Sequence, residues 1–243
     1  MHTDAPSSYR LERWLALLLG LLFFLPIVAN ADDLLATGSY HGEEVPHVSG
    51  ESFLAMVEHE DGPITLQPVR IRVTREHDPI SDHGKQEQTG KRVDVKGFEG
   101  MLLRGTALQP GRVTSAKPDC ADIDIYTNQT FVLGDTRYTL RFRCGAIRGP
   151  GRRADCRLML EASGVTQELA VREAYENGSP KLTLPETEPH VYFAGDLDGD
   201  GKLDLIIDLR TTVNEWRPTL FLSTAAKPGK LVGQTAVFSS VGC

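Results

Sequence analysis

The sequence predicts a mainly β protein built from antiparallel sheets, in a sandwich or barrel-like arrangement. Apolar residues recur with a period of two along most of the chain after residue 31, which is the period of a strand with one buried face. Short turn sequences, such as Ser163-Gly164 and Lys227-Pro228-Gly229, separate these segments. No long amphipathic helix is expected.

The first 31 residues predict a cleaved secretory signal. Arg10 and Arg13 precede an apolar run from Trp14 to Leu25, and Ala29-Asn30-Ala31 supplies the small residues that a signal peptidase needs. The run falls short of the roughly 18 residues that favour a membrane span. We therefore expect cleavage after Ala31, a periplasmic or secreted location, and no integral membrane segment in the mature chain.

Residues 32–243 are expected to form a single mainly β domain, with a possible subdomain boundary near residue 115 between breaks at Pro110-Gly111 and Pro118. The formal net charge of the chain is −7. The signal contains as many acidic as basic residues, so its removal leaves this charge unchanged. An acidic surface makes nucleic acid an unsuitable partner.

The individual strands follow from alternation and β-branched content. Strands are predicted at Ser52–Glu58, Ile64–Thr74 with an irregularity near Pro68, Arg137–Cys144, Cys156–Leu160, Val165–Val171, His190–Ala194, Leu205–Leu209, Thr219–Ser223 and Gly233–Ser239. The clearest alternation is in the third of these, where Tyr138, Leu140, Phe142 and Cys144 are expected on the buried face. The polar stretch from His77 to Gly90 predicts a loop.

Four cysteines, all in the exported part, predict two disulfides with three possible pairings. Cys144 and Cys156 flank a turn-rich stretch, and each adjoins an alternating segment, so we expect this pair to close a hairpin. Elimination then pairs Cys120 with Cys243. A reactive thiol or a zinc site is not favoured, because the sequence has no C-x-x-C spacing.

The most specific motif is an acidic loop between two predicted strands. It reads Gly195-Asp196-Leu197-Asp198-Gly199-Asp200-Gly201-Lys202-Leu203-Asp204. Its carboxylates would repel one another without a cation, and oxygen ligands spaced along a glycine-bent loop suit Ca²⁺. We expect Ca²⁺ to bind the side chains of Asp196, Asp198, Asp200 and Asp204 and the backbone carbonyl of Lys202. An acidic surface turn without a metal is the alternative.

The loop is not an EF-hand, because Ile207 stands where that motif needs a bidentate glutamate and the residues that follow predict a strand. The segment from Ala194 to Leu205 instead resembles the calcium loop of the FG-GAP and VCBS repeat families. The resemblance implies the same five ligands, with Asp204 placed to bind through both oxygens. A single copy occurs in this chain, so neither a multi-bladed propeller nor an adhesive role is implied.

Two weaker hypotheses concern histidines and arginines. His41 and His47 lie near Glu43 and Glu44, while His77 and His83 bracket Asp78 and Asp82; no recognised metal or catalytic frame accompanies them, so a solvated surface is preferred. Seven arginines crowd one predicted hairpin and suggest a basic patch for an anionic ligand, the alternative being a solvated strand face. They are Arg137, Arg141, Arg143, Arg148, Arg152, Arg153 and Arg157.

These features predict an exported calcium-binding β module whose Ca²⁺ stabilises the fold and whose partner is a protein, a glycan or an anionic envelope ligand. The alternative is an exported hydrolase with a calcium-stabilised scaffold. The sequence contains no G-x-S-x-G nucleophile motif or other catalytic frame, so the binding module is preferred.

Overall fold

A computed structural model describes residues 32–60, 63–84, 86–116, 123–149, 151–176, 181–184 and 187–242. Regular secondary structure in these ranges is entirely β, in twenty strands without a helix, and every pairing between strands is antiparallel. The predicted antiparallel β class is therefore confirmed, and no closed propeller is present in the described ranges. The predicted signal, residues 1–31, lies outside them. No helix found in the described residues has the length and apolar character to cross a membrane.

The strands are numbered in chain order. They are β1 (Asp33–Ala36), β2 (Gly38–Tyr40), β3 (Ser52–Val57), β4 (Thr65–Arg70), β5 (Arg72–Glu76), β6 (Gly90–Asp94), β7 (Met101–Arg104), β8 (Gly111–Arg112), β9 (Thr114–Ser115), β10 (Gln129–Leu133), β11 (Thr136–Cys144), β12 (Arg153–Ala162), β13 (Val165–Glu176), β14 (Leu182–Thr183), β15 (His190–Asp196), β16 (Asp204–Asp208), β17 (Glu215–Trp216), β18 (Pro218–Leu222), β19 (Gly233–Val237) and β20 (Ser240–Val241).

Three five-stranded sheets contain most of these strands. Sheet I has the order β1-β7-β3-β4-β8, sheet II the order β10-β11-β12-β13-β14, and sheet III the order β19-β18-β16-β15-β9. Two smaller sheets, β2-β6-β5 and β17-β20, complete the described topology.

Sheet III is the middle of three layers. Every residue of β16 and β18 is buried. Ile206 and Leu220 belong to the hydrophobic cluster that contains sheet I, whereas Leu205, Ile207 and Phe221 belong to the cluster that contains sheet II. Successive side chains of a strand point to opposite faces, so a strand covered on both faces reads as a continuous apolar run. This burial explains the unbroken run of leucine and isoleucine in β16.

Sheet II confirms the clearest sequence prediction. Tyr138, Leu140 and Phe142 of β11 are all buried, as the alternation requires. Cys144, expected on the same face, is exposed because it ends the strand. It lies directly opposite Cys156 in the β11–β12 ladder, and the two form the predicted disulfide. The second predicted pair, Cys120 and Cys243, lies outside the described residues.

The prediction of a single strand over Ile64–Thr74 is wrong, because the segment forms two strands. The segment divides at Ile71 into β4 of sheet I and β5 of the sheet that contains β2, rather than bending at Pro68. The backbone of Ile71 exchanges hydrogen bonds with the Gly50–Glu51 segment, which holds this buried residue between the two sheets. Pro68 stays within β4 because β8 pairs with the first residues of that strand and leaves one side of Pro68 unpaired.

One buried side chain joins sheet II to the segment before β19. The amide nitrogen of Gln167 in β13 donates to the Val232 carbonyl at 2.8 Å. Its amide oxygen accepts from the backbone N–H groups of Leu231 at 2.7 Å and Val232 at 3.1 Å. The side chain therefore satisfies three backbone groups of one loop, which fixes the position of that loop against sheet II.

Candidate metal site and surrounding polar clusters

The acidic loop connects β15 to β16, two neighbouring strands of the middle sheet. Gly199 and Gly201 have φ angles of +81° and +78°, a left-handed conformation that side chains with a Cβ rarely adopt. The two glycines thus give the loop the tight bend that the sequence indicates. The loop projects from one end of the middle layer.

Three of the four predicted carboxylates come together. Asp196, Asp198 and Asp204 each place one oxygen so that all three atoms lie within 4.8 Å of one another. Asp196 also orients the loop, because its two oxygens accept from the backbone N–H groups of Gly199 at 2.7 Å and Gly201 at 3.0 Å. The carboxylate cluster is therefore held by the backbone that surrounds it.

Asp204 is the most buried member of the cluster, with no exposed surface. One oxygen accepts from the N–H groups of Leu197 at 2.6 Å and Asp198 at 3.2 Å, and the other accepts from Ser223 N–H at 2.7 Å. Burial raises the pKa of Asp204, the hydrogen bond from Ser223 lowers it and the Asp198 carboxylate raises it again; the net result is a pKa of about 7. No basic side chain of the described residues forms an ion pair with this buried acid.

Asp200 occupies a different position from the other three acids. Its carboxylate accepts from the Lys202 N–H at 2.8 Å and from the Lys202 ammonium at 3.2 Å. Burial would raise the pKa of Asp200, but the hydrogen bonds from Lys202 and the approach of the Ser223 hydroxyl outweigh burial and lower it. An ion that recruits Asp200 would therefore have to displace the Lys202 ammonium.

Two polar residues at this site were not predicted from the sequence. The Thr224 hydroxyl donates to Asp198 at 2.5 Å. The Ser223 hydroxyl is buried near Asp200, but the contact lacks hydrogen-bond geometry, and this oxygen has no hydrogen-bond partner in the described ranges. Both residues follow β18, the strand beside β16, and only the pairing of these two strands brings them to the loop.

The donor set fits a hard cation. Among the described residues, the three acids and the neighbouring hydroxyls of Thr224 and Ser223 offer oxygen, and no histidine or cysteine joins the cluster. Calcium and magnesium prefer oxygen ligands, whereas zinc and copper sites usually include histidine or cysteine. The buried hydroxyl of Ser223 and the buried carboxyl group of Asp204, which forms no ion pair within the described residues, are the two features that a bound cation would satisfy.

Two of these four histidines, His77 and His83, are exposed as the sequence predicts, whereas His41 is half-buried and His47 is buried. His41 Nδ1 lies 2.7 Å from Asp78, and this hydrogen bond raises the pKa of His41 and lowers that of Asp78. His47 is buried between Asp33 at 3.3 Å and Glu51 at 3.1 Å. His77 lies 3.4 Å from Asp82, and His83 is exposed as expected. The contact of His41 with Asp78 joins segments far apart in sequence, whereas the contacts with Glu51 and Asp82 are local.

The arginine-rich hairpin is largely neutralised by glutamates. Arg141 lies 2.8 Å from Glu161, which also binds Arg143. Further along the sheet, Arg157 lies 2.9 Å from Glu168, Arg153 lies 2.6 Å from Glu173, and Arg152 pairs with Glu176. These cross-strand pairs match the solvated-face alternative and reduce the positive charge available to an anionic ligand.

The sequence matches no protein-family model, and neither the curated proteins nor the solved structures contain a match. The functional argument therefore depends on the geometry of this chain.

Proposed function

We propose that the mature chain is an exported calcium-binding β module, in which Ca²⁺ stabilises the fold and a separate surface binds a ligand in the periplasm or outside the cell. The observation that carries the calcium assignment is the Asp204 carboxylate, which is fully buried beside Asp196 and Asp198 and has no basic partner in the described part of the chain. A buried charge of this kind is costly unless it is paired or bound to a metal.

The location of the loop supports a structural role for the ion. Asp204 begins β16 and accepts a hydrogen bond from Ser223, the residue that follows β18. Asp198 accepts from Thr224 in the same segment. A cation held by these acids would connect the β15–β16 loop to the end of β18, within the middle layer of the fold. Exported modules operate with dissociation constants of about 10⁻⁴–10⁻³ M, so a modest affinity is sufficient.

The test is thermal unfolding of residues 32–243 in calcium and in chelator. At a calcium concentration one hundredfold above the dissociation constant, binding to the folded state adds about 2.7 kcal/mol. For a chain of this size we expect the melting temperature to rise by about 5–11 °C. Magnesium should substitute poorly, because it requires tight octahedral coordination and loses water reluctantly.

Variants locate the ion. Asp196→Ala and Asp198→Ala should each remove most of the calcium-dependent rise, and Asp200→Ala tests whether the ion recruits this acid from Lys202. Asp135→Ala is the matched control, since Asp135 is an exposed turn residue outside the cluster of three acids. Asp208 is a poorer control because it is fully buried and holds Arg210. An unchanged melt together with no bound calcium in elemental analysis of the wild type would refute the site.

A further inference from the structure

A groove lined by aromatic residues lies between sheet I and one edge of the middle layer. Its volume is about 690 Å³, and its lining includes Met56, Glu58, Phe98, Glu99, Tyr192 and Trp216. A second cavity of about 620 Å³ shares the turn at 97–100 and continues past Arg92 and Asp94. Clefts of about 300–1,000 Å³ are the size that accepts small organic ligands.

The aromatic residues of the groove are fixed before any ligand arrives. Trp216 Nε1 donates to the Tyr192 hydroxyl at 2.8 Å, and the two rings meet edge to face with their centroids 6.3 Å apart. Trp216 also packs against Phe238 at 5.6 Å. Tyr192, Trp216 and Phe98 are nevertheless only partly buried, so they keep surface for a ligand. The indole N–H is already used, so Trp216 offers mainly ring surface to this part of the groove.

The charges around the groove are unbalanced. Glu58 and Glu99 are exposed, and neither carboxylate forms a hydrogen bond or an ion pair with the described residues. The nearby basic side chains are already paired: Arg92 lies 2.9 Å from Asp94, and Arg210, which approaches Tyr192, is held by Asp208. The groove therefore combines aromatic surface with two exposed carboxylates that form no ion pair within the described residues, although the pKa of Arg92, raised chiefly by Asp94, is raised further by the charge of Glu99.

We propose that this groove binds an organic cation, an ammonium group carried on an apolar body. Aromatic rings attract a cation to their faces, more strongly when the site is shielded from water. The carboxylates of Glu58 and Glu99 supply the opposite charge, while Met56 and the rings contact the apolar body. The inference rests on the ligand-binding role proposed above and specifies the chemical class of that ligand. It does not depend on the calcium loop.

The decisive experiment compares two probes of nearly equal shape by calorimetric titration of the mature protein in saturating calcium and low salt. One is 2-phenylethylammonium and the other is the uncharged 2-phenylethanol. The ammonium compound should bind at least about tenfold more tightly, and its affinity should fall as salt screens the carboxylates. Cellobiose serves as an uncharged sugar probe for a glycan ligand. Equal affinity for the two phenyl probes, or binding of cellobiose but not of the ammonium compound, would overturn the proposal.

Variants assign the binding to this groove. Glu58→Gln and Glu99→Gln should each weaken ammonium binding by about two- to fivefold. Trp216→Phe should also weaken it, because tryptophan makes the strongest cation–π contacts among the aromatic residues. Glu60→Gln is the matched control, an exposed acid close in sequence to Glu58 and outside the groove lining. Ammonium binding that is unchanged in both groove glutamate variants would overturn the assignment. This test stands even if the tryptophan variant fails to fold.

Two further probes identify the source of the ammonium group. Spermidine represents free polyamines, and a capped Gly-Lys-Gly peptide represents lysine side chains; the tighter binder identifies the source, and failure of both together with 2-phenylethylammonium would overturn the proposal. If no ammonium probe binds but calcium still raises the melting temperature, the groove proposal is refuted and the calcium proposal stands. If the ammonium probe binds but calcium does not change the melting temperature, the calcium proposal is refuted and the groove proposal stands.

Discussion

Replacing Gln167 by leucine tests the layered architecture directly. Leucine has a similar volume but cannot bind the Val232 carbonyl or the N–H groups of Leu231 and Val232, which Gln167 contacts at 2.7–3.1 Å. Gln167 and Val232 are both buried, so water cannot readily replace these bonds. Each intramolecular hydrogen bond contributes about 1 kcal/mol net, and an orphaned buried group costs about 1–3 kcal/mol. The three together predict a loss of about 3–5 kcal/mol in the free energy of unfolding.

The assay is urea denaturation of residues 32–243 under non-reducing conditions with calcium held constant. Gln234→Leu is the matched control, because Gln234 is exposed in β19 and its side chain makes no hydrogen bond to the described residues. A surface change of this kind should stay within about 0.5 kcal/mol. If Gln167→Leu lost less than about 1 kcal/mol, the argument that this side chain fixes the loop against sheet II would be refuted.

Three further predictions concern the His41–Asp78 pair and the cysteines. The raised pKa of His41 and the lowered pKa of Asp78 mean that the pair stabilises the fold between about pH 4 and 6.5, and that its contribution disappears as pH rises through the raised histidine pKa. The stability difference between wild type and His41→Gln, from urea melts, should therefore be larger near pH 5.5 than near pH 8.5, and a constant difference would contradict the pairing. Replacing Cys144 and Cys156 together by serine opens a short loop and should lower the free energy of unfolding by about 3 kcal/mol in the same assay. A negligible loss would mean that the disulfide does not restrict the unfolded chain, as when the β11–β12 hairpin persists there. Peptide mapping without reduction should recover Cys120 linked to Cys243, whereas free thiols at these positions would disprove that link.

The predictable parts of the fold are those set by local pattern. Alternation in β11 identified its buried face because the strand has one covered side. The convergence of acids in the loop could also be predicted, since Asp196, Asp198 and Asp204 lie close together in sequence and two glycines define the bend between them. In each case the residues that determine the structure are neighbours along the chain.

The parts that could not be predicted depend on distant contacts. His41 meets Asp78 across the pairing of β2, β6 and β5, and neither local sequence contains a signal for the other. The division at Ile71 reflects which sheet each half of the segment joins, and both halves have the same β character. Ser223 reaches Asp204 only because β18 is the neighbour of β16. A single sequence does not specify these choices of partner.

The proposed calcium loop and the proposed ligand groove are connected by the same strands of the middle layer. β15 contains Tyr192 of the groove and ends at Asp196 of the loop, a separation of about 13 Å at about 3.3 Å per residue. Trp216 precedes β18, and Ser223, which binds Asp204, follows it. β18 is buried throughout and pairs on both sides, so a rigid ladder separates the two sites. An ion in the loop would therefore support the groove by stabilising the strands that position Tyr192 and Trp216, without a change in the shape of the groove. This is the effect expected of a structural cation rather than of a switch.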